Sequence, residues 1–328
     1  MKRAVYSAQR ADPEKIEAVG ETLIGWFREN ARDLPWRRTR DPWRILVSEV
    51  MLQQIQVVRA IPFYERFLER FPTVDALAKA PLAEAIQVWG DLGRYRRVVS
   101  LHRTARIVVE VLGGVIPSDP DALVKLPGIG PYTAGAVACF AFERDVAFVD
   151  TNMRRVLHRV FFGAEVPGNT TTERELLDLA AQLVPSGGGW KWNQALMEFG
   201  ALRCTARRPT CEDCPLQAAC RARPEVKEAL ARLPRGAKKG PGYRYEDTNR
   251  YYRGRVLAQL REDASARGGG IDLRDLGRRV REGFNDEEVP WLYGVVESLE
   301  RDGLAVAEER AAYGSDGGER GETRVRLP

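Results

Sequence analysis

Two sets of residues have types and spacings that could do chemistry. Four of the five cysteines follow the pattern Cys204-x6-Cys211-x2-Cys214-x5-Cys220. The N-terminus, Met1-Lys2-Arg3-Ala4-Val5-Tyr6, lacks the apolar run of a secretory signal, so the expected compartment is the cytosol, where close thiols bind metal instead of forming disulfides. One CxxC flanked by single cysteines suits four ligands around an iron–sulfur cubane, whereas zinc usually takes two CxxC pairs further apart. A zinc loop stays open as the alternative. Arg203, Arg207 and Arg208 sit at or within this loop and would present cations to phosphate. Cys139, in the apolar run Ala136–Phe142, reads as a small buried side chain.

The second set is a pair of carboxylates. Glu49 lies in Trp43-Arg44-Ile45-Leu46-Val47-Ser48-Glu49-Val50-Met51-Leu52. Buried there, it would hold its proton and could donate it. Helical periodicity alone favours a place on the solvent face. Asp150, before Thr151-Asn152-Met153-Arg154, reads first as a helix N-cap, and a cap can also point its carboxylate into a site. Between them, Leu126-Pro127-Gly128-Ile129-Gly130-Pro131-Tyr132 reads as a tight turn between helices. Its Gly128 and Gly130 would leave N–H groups free for a phosphate, though an ordinary interhelix turn has the same composition. His102 and His158, in basic segments, read as surface residues.

The elements that must position these groups are helices. Apolar spacing predicts them at 15–30, from Asp41-Pro42 through Met51, and at 57–71, 74–79, 82–89, 94–111 and 119–125. No alternating segment in this part implies a sheet. Residues 1–14 read as a flexible start, 15–221 as one all-α domain containing the cysteine loop 204–220, and the Arg/Lys/Pro/Gly-rich stretch 222–244 as a linker. Residues 245–328 read as a separate unit. Helices at 249–261, 273–281 and 287–301 precede strands at 304–308 and 323–327 around a Gly-rich loop at 314–321, a winged-helix-like α+β domain. The fold class is therefore mainly α. Arg250, Arg253 and Arg255 are candidates for contacting DNA, the alternatives being packing against the rest of the chain or a protein partner. A net charge of +5 permits a polyanionic partner without requiring one, and no apolar stretch is long enough to span a membrane.

Six ordered motifs together resemble the helix-hairpin-helix DNA glycosylases, and among them the MutY-type adenine glycosylases, which act on adenine mispaired with guanine or 8-oxoguanine. The motifs are Leu34-Pro35-Trp36-Arg37, Ser48-Glu49-Val50-Met51-Leu52-Gln53-Gln54, the hairpin, Val149-Asp150-Thr151-Asn152, Trp192-Asn193-Gln194-Ala195-Leu196-Met197 and the cysteine loop, spread over about residues 20–221. The resemblance implies a helix-hairpin-helix glycosylase fold with one 4Fe-4S cluster on Cys204, Cys211, Cys214 and Cys220. It further implies a monomeric, cytoplasmic, nucleoid-associated enzyme of base-excision repair. The partner would be double-stranded DNA holding a mismatch or an oxidised guanine, from which the target base is flipped.

By that resemblance Glu49 is the general acid protonating adenine N7, Asp150 stabilises the oxocarbenium ion, and Tyr132 and Asn152 assist around the sugar. Leu34, Trp36, Arg37 and Gln194 form the adenine pocket, the Gln194 amide reading the N6/N7 edge. Gln54, Arg94, Gly128, Gly130, Arg207 and Arg208 contact DNA. Relatives with a β-lyase step place a lysine where this chain has Tyr132, so a monofunctional enzyme leaving an abasic site is expected.

Three features depart from the MutY pattern. Ile55 stands for the usual threonine, Arg94 for the usual tyrosine after Gly-Leu-Gly, and the C-terminal unit is not Nudix-like. A second reading is therefore a mismatch glycosylase of the MIG type that removes thymine or uracil opposite guanine. Those enzymes carry Leu-Arg-Arg instead of Leu52-Gln53-Gln54 and lack the Gln194 amide. A third is a DNA-binding protein without catalysis.

Overall fold

The computed structural model describes residues 11–165, 171–232, 244–266, 269–313 and 319–328, without the side chains of 310–313 and 319–322. The Gly-rich loop expected at 314–321 thus lies largely outside the described residues, as does most of residues 1–14.

The chain divides into two compact units, one of residues 1–49 and 116–237, the other of 50–115 and 238–328. The segment 15–221 thus contributes to both. In the first unit, α1 (Pro13–Asn30) is capped by Asp12, whose carboxylate accepts from Glu14 N. A 3-10 turn, Pro35–Arg37, leads to α2 (Pro42–Leu52). Asp41 caps this helix, accepting from Trp43 N at 2.8 Å and Arg44 N at 3.2 Å. Helix α2 carries the chain past Glu49 into the second unit.

There α3 (Val57–Arg70), α4 (Val74–Lys79), α5 (Leu82–Trp89) and α6 (Arg96–Glu110) pack around Phe67, Phe71, Ile86 and Trp89, all fully shielded. Back in the first unit, α7 (Pro120–Leu123) and α8 (Pro131–Phe142) form the expected hairpin. Helix α8 is buried from Thr133 to Ala141, so it is apolar on every side and has no amphipathic period to read. Then come α9 (Thr151–Leu157), α10 (Glu173–Leu183), α11 (Gly189–Leu202) and α12 (Val226–Arg232). Helix α12 falls inside the stretch expected as a linker. Val226 and Ala229 bury one face against Ala164 and Ala222, beside Cys211 and Cys220, so this helix backs the cysteine loop.

The second unit ends with α13 (Asn249–Ala266), β1 (Ile271–Asp272), α14 (Leu273–Val280), α15 (Val289–Arg301), β2 (Val306–Tyr313) and β3 (Glu319–Arg326). The sheet order is β1-β3-β2, all antiparallel, with Ile271 opposite Val325 and Ala307 opposite the same residue on the other side. Three helices, a hairpin and the short β1 give the chain order of a winged helix. Within this unit the module packs on α6 and the turn before it. Arg261 pairs with Asp91 at 3.0 Å, and Gly303 lies against Val99 and Arg103. No helix among the described residues is long and apolar enough to cross a membrane.

Candidate active site

The first unit gathers the expected catalytic residues. Glu49 is only 4% exposed, with Ile45 to Met51 buried around it. This corrects the solvent-face reading drawn from periodicity, because α2 is wrapped on nearly all sides and its one carboxylate goes inward with the apolar residues. Burial pushes the Glu49 carboxyl up to about 7; a hydrogen bond with Tyr132 pulls it back a little, and the Asp150 charge adds to the rise. The three side chains therefore sense one another across α2, α8 and the start of α9. Tyr132 also reaches Met197 Sδ on α11 at 3.9 Å and packs edge-on against Phe148 at 5.5 Å.

Asp150 does two jobs. Its Oδ1 caps α9 by accepting from Met153 N at 2.6 Å, while Oδ2 accepts from Asn152 Nδ2 at 2.9 Å. Burial raises its carboxyl, and these donors oppose the rise. Asn152 is held in turn by Arg155, whose Nη2 donates to Asn152 Oδ1 at 2.9 Å and to Gly200 O at 2.6 Å, and whose Nε donates to Cys204 O at 2.6 Å. A glycine at 200 is what lets α11 come this close: a Cβ there would lie 2.8 Å from both Cβ and O of Asn152.

A second cluster surrounds Gln194, which is buried one helical turn before Met197. Arg37 Nε donates to Gln194 Oε1 at 2.7 Å, leaving the amide nitrogen as a donor. Arg37 Nη2 reaches Glu198 Oε2 at 2.9 Å, and Arg32 forks onto both Glu198 oxygens at 2.7 Å. Burial pushes the Glu198 carboxyl up, but the hydrogen bonds from Arg32 and Arg37 outweigh it and hold it down at about 2. Leu34 and Trp36 are buried beside this network's backbone. Reading the sequence missed Glu198 and Arg32. Glu198 stands four residues beyond Gln194, on the same helical face, and that spacing was the available signal.

The hairpin turn buries Leu126 and Ile129 and leaves Gly128, at φ 76°, and Gly130 exposed. Its apolar side chains anchor it while the glycine backbone faces outward.

The four loop cysteines are partly buried free thiols. Burial pushes Cys211, Cys214 and Cys220 up, Cys214 to about 11, and each also feels the Cys204 charge. Buried Arg159 donates to Cys204 Sγ at 3.5 Å, Thr205 O at 2.8 Å and Ala206 O at 3.0 Å. It stands on a π-turn, His158–Phe162, that ends α9. Among the described residues, no three His, Cys, Asp or Glu side chains close on a position for a single metal ion. Arg207 and Arg208 are exposed and make no ion pair among the described residues. The two histidines correct their surface assignment. His158 is fully buried, its Nδ1 facing Gly163 O at 3.0 Å, and His102 is 8% exposed, its Nε2 facing Ala80 O at 2.8 Å. Both basic segments turn a face inward, which charge counting could not reveal. Gln54 and Arg94 belong to the second unit, and both take positive φ, 57° and 49°.

The chain matches the model of the HhH-GPD superfamily of base excision DNA repair proteins over residues 47–182. It is 44% identical over 245 residues to the adenine DNA glycosylase of Mycolicibacterium smegmatis, an alignment covering 74% of this chain and 80% of the relative. To the human adenine DNA glycosylase it is 42% identical over 226 residues, 66% of this chain but only 41% of the longer relative. Among solved structures, a thermostable thymine-DNA glycosylase superposes with a TM-score of 0.61 at 31% identity, over 65% of this chain and 98% of that one.

Proposed function

The chain belongs to the HhH-GPD superfamily of base excision DNA repair proteins, and from that premise we infer that it is an adenine DNA glycosylase. It binds DNA, removes adenine by hydrolysis of the N-glycosyl bond and leaves an abasic site. The observation that carries this reading is the buried acid Glu49, raised to about 7 and coupled to Tyr132 and Asp150, in one unit with the Gln194–Arg37–Glu198 network.

Shielded Glu49 still holds its proton near neutral pH and gives it to N7 of the extruded adenine. The bond electrons from C1′ to N9 leave with the protonated base. The sugar becomes an oxocarbenium ion, and Asp150, whose anionic form the Met153 and Asn152 donors favour against the upward pull of burial, faces that positive charge. Water then adds to C1′, and Asp150 takes its proton. Tyr132 offers no amine, so no Schiff base forms and the strand stays intact. Gln194, its oxygen tied to Arg37, offers its amide nitrogen to a ring acceptor of adenine.

The opposite base is guanine or 8-oxoguanine. The exposed backbone at Gly128 and Gly130, with Arg207 and Arg208, takes DNA phosphates. Cys204, Cys211, Cys214 and Cys220 hold one 4Fe-4S cluster. The donor set is all thiol, and N–H groups of Leu216, Ala222 and Arg223 and the guanidinium of Arg159 bond to the sulfurs, as ligands of a negatively charged cluster require. When bound, the cluster ties the loop together. The enzyme acts as a monomer in the cytoplasm, and residues 245–328 serve as a winged-helix-like module that shares its compact unit with residues 50–115.

The test is single-turnover base release from duplexes carrying adenine opposite 8-oxoguanine, guanine or cytosine, and thymine or uracil opposite guanine. Adenine release opposite 8-oxoguanine and guanine is expected. Release of thymine or uracil but no adenine would transfer the chain to the thymine/uracil mismatch reading, and binding without release of any base would leave only a DNA-binding protein.

A further inference from the structure

The second unit holds a cavity of about 490 Å³ for which the adenine chemistry has no use. Gln54, Arg94, Tyr95 and Arg97 line it on one side, and Arg250 and Arg253 of α13 on the other. Its carboxylate, Asp302, is already engaged by Arg253 and by Arg96 at 3.5 Å. Arg94, Arg97 and Arg250 make no ion pair among the described residues. Arg97 Nη1 is shut off from solvent with no hydrogen-bond partner, an arrangement that costs free energy unless something accepts from it. Burial and the neighbouring Arg94 also lower the Arg97 guanidinium to about 10.

The arginines crowd the wrong end of a helix. Arg94, Arg96 and Arg97 surround the N-terminus of the 15-residue α6, which has no acidic residue in its first turn and no side-chain cap. Cations there oppose the helix dipole, whereas an anion is favoured by both the dipole and the unpaired N–H groups. Gln54 and Arg94 hold left-handed backbone on the rim of the same cavity, an unfavourable conformation for non-glycine residues. The orphaned Arg97 Nη1, the crowded arginines and the uncapped start of α6 are each unfavourable alone, and an anion in the cavity relieves all three.

We propose that this cavity is a phosphate site that takes a backbone phosphodiester of the bound DNA, built jointly by the start of α6 and by α13 of the C-terminal module. The module therefore holds DNA through this shared site, and Arg253, tied to Asp302 and Ser298, frames it. The assignment rests on the reading that the chain binds DNA, and it is independent of which base is removed.

The test uses the full chain and an undamaged duplex, with affinity read by anisotropy across a salt series. Arg97→Gln and Arg250→Gln should each weaken binding several-fold at low salt and flatten the slope of log Kd against log salt by about one. Arg106→Gln, which removes the same charge from the far end of α6, should leave the slope unchanged. Arg250 is exposed, so its variant keeps the measurement informative even if Arg97→Gln folds poorly. Unchanged slopes in folded Arg97→Gln and Arg250→Gln overturn the proposal. Phosphate can also arrive as a free ion, so melting of the wild type and Arg97→Gln is compared in inorganic phosphate and in chloride at equal ionic strength. Stabilisation by phosphate that needs Arg97, with duplex slopes unaltered, would assign the pocket to a free phosphate and overturn the DNA assignment. Base release is scored separately: flattened slopes in a chain that releases no adenine would sink the glycosylase reading and leave this one standing.

Discussion

Glu49 shows how one residue type acquires a function from its surroundings. Its carboxyl sits at about 7 against an ordinary value of 4.5, chiefly because α2 buries it. In the proposed mechanism base release needs the protonated form, so the single-turnover rate should hold below pH 7 and fall above it. Glu49→Gln should abolish release at every pH. The same shift affects stability. A raised acid favours the folded state fully below pH 4.5, and that contribution is lost as the pH rises to about 7. Thermal melts should therefore show Glu49→Gln gaining on the wild type across that window, levelling at roughly 3 kcal/mol. A flat difference from pH 4 to 8 would mean that Glu49 is not shielded. Tyr132→Lys places an amine beside the sugar, and strand scission, together with a Schiff base that borohydride reduces to a covalent enzyme–DNA adduct, should appear in that variant alone. Scission by the wild type would contradict the monofunctional reading.

At the scale of elements, the proposed catalytic carboxylate, Asp150, is placed by the crossing of α9 and α11. The relay Arg155–Asn152–Asp150 works only because Gly200 lets the two helices touch. Gly200→Ala puts a methyl group 2.8 Å from Asn152, against backbone as well as side chain. The helices must separate, at a cost of about 1–3 kcal/mol. The rate of base release at saturating DNA should fall more than affinity does, since Asp150 moves while the DNA-facing groups stay. Affinity falling with the rate unchanged would place Gly200 outside the relay. The π-turn after α9 plays the matching part at the other end, turning Arg159 onto the cysteine loop.

For the whole molecule, the cysteine loop is the brace. It is tied to α9 through Arg155, to the π-turn after it through Arg159, and backed by α12, so loss of the proposed cluster should reach the Asp150 relay. Purified protein should carry about four irons per chain with a broad visible absorbance. Cys214→Ser should lose both, melt at lower temperature and release adenine more slowly. Stoichiometric zinc without iron in the wild type would restore the zinc alternative. The two-unit division also bears on the C-terminal module. It shares its compact unit with 50–115, so truncation at 245 should expose apolar surface on α5 and α6 and lower the melting temperature of what remains.

Much of this protein was legible in the linear chain. Helix positions followed apolar spacing because helices are local; α4 and α5 fall on the expected bounds of 74–79 and 82–89. The cysteine spacing and the motifs around Glu49, Asp150 and Gln194 were visible because those sites draw on short stretches of sequence. Tertiary structure decided the rest. Whether Glu49 faces solvent or core depends on how many sides of α2 are covered, and no period within one helix records that. Beyond the spacing of Glu198 from Gln194, Glu198, Arg155 and Arg159 carry no signal of their own in the linear chain, and their roles come from partners 161, 45 and 46 residues away. Helix α12 looked like linker because its apolar face is narrow and finds its counterpart only in the folded cysteine loop. Local order follows from neighbours along the chain, while the energy of a buried charge depends on groups that only folding brings together.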